Sequence, residues 1–205
     1  MQNVTDRTSN PFGMQPPCES FVPGYGDANA DFHVVGDHPG VHGGGDTGVP
    51  FTGTPGAERF HGALTAAGLL DDDGEPVELF LSYLHAGVPE GEPTARGYTE
   101  MEPFFDAELR AITAHVLLPV GERATRHVLE TYTAIVADEV DLAAVHGEEL
   151  HGSGWLVVPA LDPGEWTADE EAAYVDALRD LRATDYHREA DLGRFLVGSE
   201  SYRVR

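Results

Sequence analysis

The segment Val34–Gly56, VVGDHPGVHGGGDTGVPFTGTPG, concentrates residue types that could do chemistry. Its glycine-rich loop carries a carboxylate, Asp37, two histidines, His38 and His42, and an aromatic ring, Phe51. A carboxylate can orient water or stabilise a cation, and a histidine can exchange a proton near neutral pH. An aromatic ring offers a flat apolar face to a ligand. Together these residue types predict the lining of a ligand pocket.

The elements on either side of this segment indicate how such a pocket would be positioned. The apolar run Phe32–Val35 predicts a buried strand, and Ala57–Ala67 predicts a helix that ends at Gly68. A strand that leads through a loop into a helix builds a ligand site at the carboxyl edge of a parallel sheet. We therefore expect the pocket at that edge.

Strand and helix patterns alternate through the rest of the chain. The further strands are predicted at Val77–Leu84, Val116–Val120 and Trp155–Val158, and the further helices at Glu100–Ala114, Glu122–Tyr132 and from the capping residue Thr167 to about Thr184. The long connection Ala86–Gly97 is a candidate functional loop. The alternation predicts an α/β protein, a three-layer α/β/α sandwich with a central four-stranded, mainly parallel sheet.

The length of 205 residues predicts one domain over residues 1–205. Met1–Gly26 is rich in Pro, Gly and Ser and predicts an N-terminal arm, and residues 186–205 form a C-terminal tail.

The charge is strongly acidic, with a net value of −24, 12 basic residues that are all arginine, and no lysine. The hydrophobic fraction of 41% and the scattered acids argue against a disordered chain. We interpret the surface as salt-adapted, because at molar salt the Debye length falls to about 3 Å and screens self-repulsion.

Cys18 is the one cysteine, which excludes a disulfide scaffold and a four-cysteine metal site. The ten histidines are too scattered along the chain to predict a metal site. No apolar run approaches the roughly 18 residues of a membrane span. We expect a cytoplasmic protein without a membrane segment.

The chain resembles the uracil-DNA glycosylase superfamily, closest to its iron–sulfur branch. That branch has a strand that enters a Gly-Glu-Xaa-Pro-Gly turn, then an acidic loop, then Gly-Xaa-Pro-Phe-Xaa-Gly. Here the same order runs through Gly36–Gly40, Asp46 and Gly48–Gly53. Leu118–Ala124 is similar to the family's third strand and following helix, and the resemblance covers roughly residues 18–165.

The resemblance implies that a nucleotide is flipped out of DNA into a tight pocket, where Phe51 stacks on the base. Asp37 matches the family's glutamate, whose carboxylate stabilises the sugar cation or orients water. Gly36, Pro39 and Gly40 form the turn that faces the base. The implied partner is single- or double-stranded DNA, and we expect a monomer.

Three departures from the family pattern bear on its cofactor and its base recognition. Cys18 falls near one of the family's four cluster cysteines, Met101 occupies the place of another, and the other two have no counterpart, so we expect no iron–sulfur cluster and no other cofactor or metal. Tyr83 stands where the family has an asparagine that reads uracil, and a tyrosine cannot reproduce the paired donor and acceptor of an amide. Asp162 stands where the family has a histidine, and an acidic group there would repel a base anion. We expect His38 to compensate for these two changes as a hydrogen-bond donor to the base.

DNA binding has little support from charge, because residues 8–58 contain no lysine or arginine. Arg96, in the long loop, is the best candidate for a phosphate contact. Backbone N–H groups in the glycine turns could hold further phosphates.

The leading function is a DNA-repair glycosylase that hydrolyses the N-glycosidic bond of uracil or another deaminated base. The alternative is a non-catalytic binder of damaged bases or nucleotides on the same fold. A third hypothesis is a hydrolase of another nucleobase linkage, with His38 and Asp162 as its acid and base.

Overall fold

Six strands form one sheet in the computed structural model, which describes residues 3–193. The strands are β1 (Tyr25–Gly26), β2 (Phe32–Gly36), β3 (Leu79–Tyr83), β4 (Val116–Pro119), β5 (Leu150–His151) and β6 (Leu156–Val157). Their order across the sheet is β1-β3-β2-β4-β6-β5.

The four inner strands β3, β2, β4 and β6 are mutually parallel, and β1 and β5 pair antiparallel at the two edges. Val34 in the middle of β2 pairs with Leu81 on β3 and with Leu118 on β4. Every residue of β2, β3 and β4 is buried, as expected for strands covered on both faces. The predicted four-stranded parallel sheet is confirmed, and the two short edge strands extend it.

Six α-helices accompany the sheet in the described part of the chain. They are α1 (Pro39–His42), α2 (Pro55–Ala67), α3 (Ala95–Ile112), α4 (Gly121–Tyr132), α5 (Ala168–Arg182) and α6 (Tyr186–Gly193). Thr54 caps α2 through the N–H of Ala57, and Thr167 forms a capping box with Glu170 at α5. Helix α3 begins five residues before the predicted start, because Thr94 caps it through the N–H of Gly97.

The helices cover both faces of the sheet and complete the predicted three-layer sandwich. On one face, side chains of α2, α5 and α6 pack on β2, β3, β4 and β6 around Phe60, Leu64 and Tyr174. On the other face, α3 and α4 pack through Phe105 and Val128. The N-terminal arm contributes β1, and α6 lies within the predicted C-terminal tail, of which residues 194–205 fall outside the described part.

The parallel arrangement brings the chain segments that follow β2, β3, β4 and β6 to one edge of the sheet. Such an edge is where open α/β sheets bind ligands. No helix among residues 3–193 combines the length and the apolar character that a membrane crossing requires.

Candidate active site

A cavity of about 670 Å³ opens at the carboxyl edge of the parallel strands. Among its lining residues, those that follow the four parallel strands are Asp37, Leu84, Gly121 and Asp162. His42, Tyr98 and Arg123 complete the part of the wall that carries chemistry. Asp37 and Asp162, predicted from the sequence as site residues, therefore share one cavity.

Two neighbours hold the Asp37 carboxylate in place. The Tyr98 hydroxyl donates to Oδ1 at 2.5 Å, and Nε of Arg123 donates to Oδ2 at 3.2 Å. The Arg123 guanidinium also lies over the Tyr98 ring, 4.6 Å from its centroid. Burial, together with the hydrogen bond to Asp37, raises the pKa of Tyr98 well above its usual range, so Tyr98 stays a donor. The carboxylate is mostly buried, and Asp37 lines the cavity.

His42, the last residue of α1, points an unpaired donor into the site. The backbone N–H of Asp37 donates to Nδ1 of His42 at 3.0 Å. Burial lowers the pKa of His42 to about 4, although Asp162 and Asp37 oppose that shift. The ring is therefore neutral at pH 7 and carries its proton on Nε2. That Nε2 is buried, has no hydrogen-bond partner, and lies 3.9 Å from Oδ2 of Asp162.

Phe51 and Tyr83 support the site from behind, instead of lining the cavity. Phe51 is 1% exposed and stacks on His42 with ring centroids 5.2 Å apart and an interplanar angle of 22°. The Tyr83 hydroxyl accepts from the N–H of Phe51 at 2.7 Å and lies 3.0 Å from the carbonyl of Gly43, to which it donates. The hydroxyl is thus engaged with loop backbone, and it holds the ring stack in place.

The glycine turn after β2 is tightly packed. A Cβ on Gly36 would lie 2.6 Å from both the Phe51 and the Tyr83 rings, so these rings require a glycine there. Pro39 begins α1, where its missing N–H costs no hydrogen bond. A Cβ on Gly40 would lie 2.8 Å from the His38 ring. These residues shape the turn that orients Asp37 and His42.

His38 lies outside the cavity lining, in contrast to the compensating role expected from the sequence. Its Nδ1 accepts from the N–H of Gly40 at 3.1 Å and caps α1. Its Nε2 lies 3.6 Å from Oε2 of Glu92. Burial lowers the pKa of His38 despite the nearby carboxylates. The donor that faces the cavity belongs to His42, four residues further along the chain.

Asp162 lies at the rim of the cavity, on the loop after β6. Its Oδ1 accepts from the N–H of Gly164 at 2.8 Å, an Asx turn that fixes the side chain. The other oxygen faces His42. The negative charge of Asp162, expected from the sequence to face the base, therefore lies next to the neutral ring of His42.

The cavity is lined by Arg123, whereas Arg96, the arginine predicted to contact phosphate, is not among the lining residues. Arg96 is 86% exposed on the first turn of α3 and pairs with Glu100 at 2.7 Å. Arg123, at the start of α4, lines the cavity and bridges Asp37 and Glu92, the latter at 3.0 Å. Arg126, one turn further, also borders the cavity. These two arginines supply cationic groups within an otherwise acidic wall.

Sequence reasoning placed His42 in the predicted pocket lining without a specific part in the chemistry, and it assigned no role to Tyr98 or Arg123. Arg123 could have been predicted from its position just after the strand Val116–Val120. Residues that follow parallel strands lie at the carboxyl edge of the sheet, where Asp37 also lies. Tyr98 reaches Asp37 across 61 residues of sequence, a contact with no local pattern.

An iron–sulfur cluster does not fit the residues present. The chain has one cysteine, whereas such clusters are held by four thiolates. A Cβ on Gly87 would lie 3.5 Å from Sγ of Cys18 and 3.4 Å from Cε of Met101. Cys18 therefore packs near a buried thioether and has no second thiolate beside it.

The fold and the site define an α/β protein with a carboxylate and an imidazole donor in a pocket at the sheet edge. The chain belongs to the uracil-DNA glycosylase superfamily, whose family model matches residues 23–182. It is 32% identical over 171 residues to the type-5 uracil-DNA glycosylase of Pyrobaculum aerophilum, covering 78% of this chain and 73% of that protein. It is 34% identical over 107 residues to the type-5 enzyme of Thermus thermophilus, covering 45% and 49% respectively. The protein is accordingly a uracil-DNA glycosylase-like member of that superfamily.

Proposed function

We propose that this protein excises uracil or another deaminated base from DNA, with Asp37 as the catalytic carboxylate and His42 as the donor to the base. The observation that supports this most is the convergence of the Asp37 carboxylate and the unpaired His42 Nε2 on one cavity. His42 replaces His38 in this proposal because His42 lines the cavity and His38 does not.

The reaction is a hydrolysis at C1′ of the deoxyribose. The bond between C1′ and the base nitrogen breaks with its electron pair on the base, and water forms the new bond to C1′. Asp37 stabilises the positive charge that develops on the sugar and orients the water, whose proton passes to Asp37 and then to solvent. The base leaves as an anion and takes up a proton from solvent.

His42 acts where the negative charge develops. Its neutral Nε2–H donates to a carbonyl oxygen of the departing base, and the donor is already oriented before the reaction. Oδ2 of Asp162 lies 3.9 Å from this Nε2, too far for a hydrogen bond, so the donor stays available to the base. Phe51 is a positioning residue here, since it stacks on His42 instead of on the base.

The DNA backbone meets the site on the side of α4. Arg123 and Arg126 both border the cavity, and Arg123 pairs with Asp37. We propose that Arg123 exchanges Glu92 for a phosphate near the flipped nucleotide, while Arg96 contributes little.

We further propose that one chain suffices for the reaction. Size-exclusion chromatography of the active protein, coupled to light scattering, tests this.

The experiment is an excision assay with single- and double-stranded oligonucleotides that contain uracil, hypoxanthine or xanthine, in molar KCl. We expect abasic sites that alkali converts to strand breaks, with uracil as a substrate. Tight binding without cleavage of any of these bases would favour the non-catalytic alternative. Absence of both binding and cleavage would contradict the proposal.

A further inference from the structure

A second cluster of polar side chains lies at the amino edge of the sheet, opposite the cavity. Asp31 precedes β2, His115 precedes β4, and His187 belongs to α6. Nδ1 of His115 and Nε2 of His187 each lie 3.1 Å from Oδ1 of Asp31. All three ligand atoms lie within 4.8 Å of one another. Residues separated by 84 and by 156 positions from Asp31 thus converge on one oxygen.

The backbone fixes two members of this cluster. The N–H groups of His115 and Val116 both donate to the carbonyl of Asp31, at 2.9 and 3.0 Å. Asp31 and His115 therefore face each other across paired inner strands, which is a rigid part of the fold. The third member, His187, comes from a different element that packs onto the sheet.

A neighbouring hydroxyl orients the carboxylate. The Tyr186 hydroxyl donates to Oδ2 of Asp31 at 3.1 Å, which turns Oδ1 toward the two imidazoles. The Tyr186 ring packs on Phe32, with ring centroids 5.1 Å apart. A hydrogen bond to the remaining oxygen of a ligating carboxylate is the usual outer support of a metal site.

We propose that Asp31, His115 and His187 form a binding site for a first-row divalent transition metal of the zinc type. Two imidazoles and one carboxylate are a ligand set that zinc takes, with a water molecule in the fourth position. Zinc bonds of about 2.0–2.2 Å place tetrahedral ligand atoms about 3.3 Å apart, close to the 3.1 Å separations from Oδ1. On metal binding each ring carries its proton on the other nitrogen.

The metal has a structural role in this proposal. It connects α6 to strands β2 and β4, because His187 is the one ligand that the helix supplies. The site is separate from the cavity, whose lining includes none of the three ligands. Metal binding is therefore expected to raise the stability of the protein and to leave base excision unchanged.

Isothermal titration of the chelator-treated full-length protein with Zn²⁺ tests the site directly. The titration is run in high KCl with excess Mg²⁺, which suppresses weak binding to the acidic surface. We expect one equivalent of Zn²⁺ to bind, a higher Tm with Zn²⁺, and visible absorption of a low-symmetry site with Co²⁺. His187→Ala and Asp31→Asn should each weaken Zn²⁺ binding at least about tenfold, as loss of a direct ligand does.

The matched control is His151→Ala, which removes an exposed histidine on β5 and should leave the titration unchanged. Circular dichroism of the metal-free variants shows whether they are folded. Co²⁺ absorption of the wild-type protein provides evidence that does not depend on any variant. The proposal is overturned if the wild-type protein shows no stoichiometric binding, or if the folded His187→Ala and Asp31→Asn variants bind as tightly as the wild type.

Discussion

The backbone N–H of Asp37 donates a hydrogen bond of 3.0 Å to Nδ1 of His42. The residue that carries the carboxylate thereby fixes the tautomer and the orientation of the imidazole. The proton on Nε2 then has no partner within the protein, and its ring lines the cavity. Both proposed groups lie in the same turn after β2, and contacts with Tyr98, Arg123 and Phe51 orient their side chains.

Two substitutions at His42 distinguish the role of Nδ1, which accepts from the Asp37 backbone, from that of Nε2, the proposed donor to the base. In His42→Asn the amide oxygen replaces Nδ1 as acceptor, whereas the Nε2 donor is lost. In His42→Gln the amide nitrogen lies near the position of Nε2 and can donate to the base. We expect single-turnover uracil excision to fall by about 10²–10³ in His42→Asn, the usual cost of one missing donor, and to fall less in His42→Gln.

His38→Asn is the matched control for that pair, because it truncates a buried histidine in the same turn that lies outside the cavity lining. It should lower Tm but change single-turnover excision by less than about threefold. Equal losses in His38→Asn and His42→Asn would show that both histidines act only through the fold of the turn.

Tyr83→Phe tests the role of the hydroxyl behind the site. It removes the acceptor of the Phe51 N–H and the donor to the Gly43 carbonyl and leaves both buried. We expect a loss of unfolding free energy of about 1–3 kcal/mol in urea denaturation. The preference among uracil, hypoxanthine and xanthine should stay the same, since the hydroxyl does not face the cavity.

Tyr132→Phe serves as its comparison. The Tyr132 hydroxyl donates to Asp106 at 3.1 Å in a partly exposed position, so its loss should cost less than the Tyr83 change. A changed base preference in Tyr83→Phe would contradict the supporting role and return Tyr83 to base recognition.

Buried histidines predict a loss of stability in mild acid. Burial lowers the pKa of His33 to about 3 and that of His42 to about 4, from about 6.5 in the unfolded chain. Between these values the unfolded state binds more protons, so stability is fully present above pH 6.5 and falls as the pH drops toward 4. Urea midpoints at pH 7.5, 6 and 5 should decrease in that order.

The contribution of one histidine to that trend is separable. His42→Asn should show a smaller decrease between pH 7.5 and 5 than the wild type, whereas His151→Asn, at an exposed position, should follow the wild type. If His42→Asn shows the same decrease as the wild type, His42 is not held neutral in the folded state.

Arg123→Gln and Arg96→Gln compare the arginine that lines the cavity with the arginine predicted from the sequence to contact phosphate. Loss of Arg123 removes a charge-assisted hydrogen bond to Asp37 and the nearby cation for a phosphate, effects of about 1.5–3 kcal/mol. We expect kcat/KM to fall by about 10- to 100-fold in Arg123→Gln and by less than about threefold in Arg96→Gln. A larger loss in Arg96→Gln would place the DNA on the outer face of α3.

Much of the fold was predictable from local patterns. Strands β2, β3 and β4 are mostly apolar runs, and α2 and α5 have sequence signals at their caps, so their positions agree with the prediction to within a few residues. Strands β1 and β5 were missed because each is two residues long, too short for any periodicity.

The site was predictable only in part, because side-chain direction in a short turn depends on distant contacts. His38 and His42 have the same residue type and lie in the same motif, yet packing against Phe51 turns one ring toward the cavity and a cap turns the other away. The Asp31, His115 and His187 cluster forms only when strand pairing and α6 bring three remote segments together. No spacing along the chain indicates that cluster.

The most direct test of the central claim is single-turnover excision of uracil by Asp37→Asn, with Asp46→Asn as the control. Asp46 is an exposed carboxylate in the same loop, and its substitution should leave the rate unchanged. Asp37→Asn should bind the uracil oligonucleotide as tightly as the wild type and cleave it about 10²–10⁴-fold more slowly. Excision by folded Asp37→Asn at the wild-type rate would contradict the assignment of Asp37 as the catalytic carboxylate.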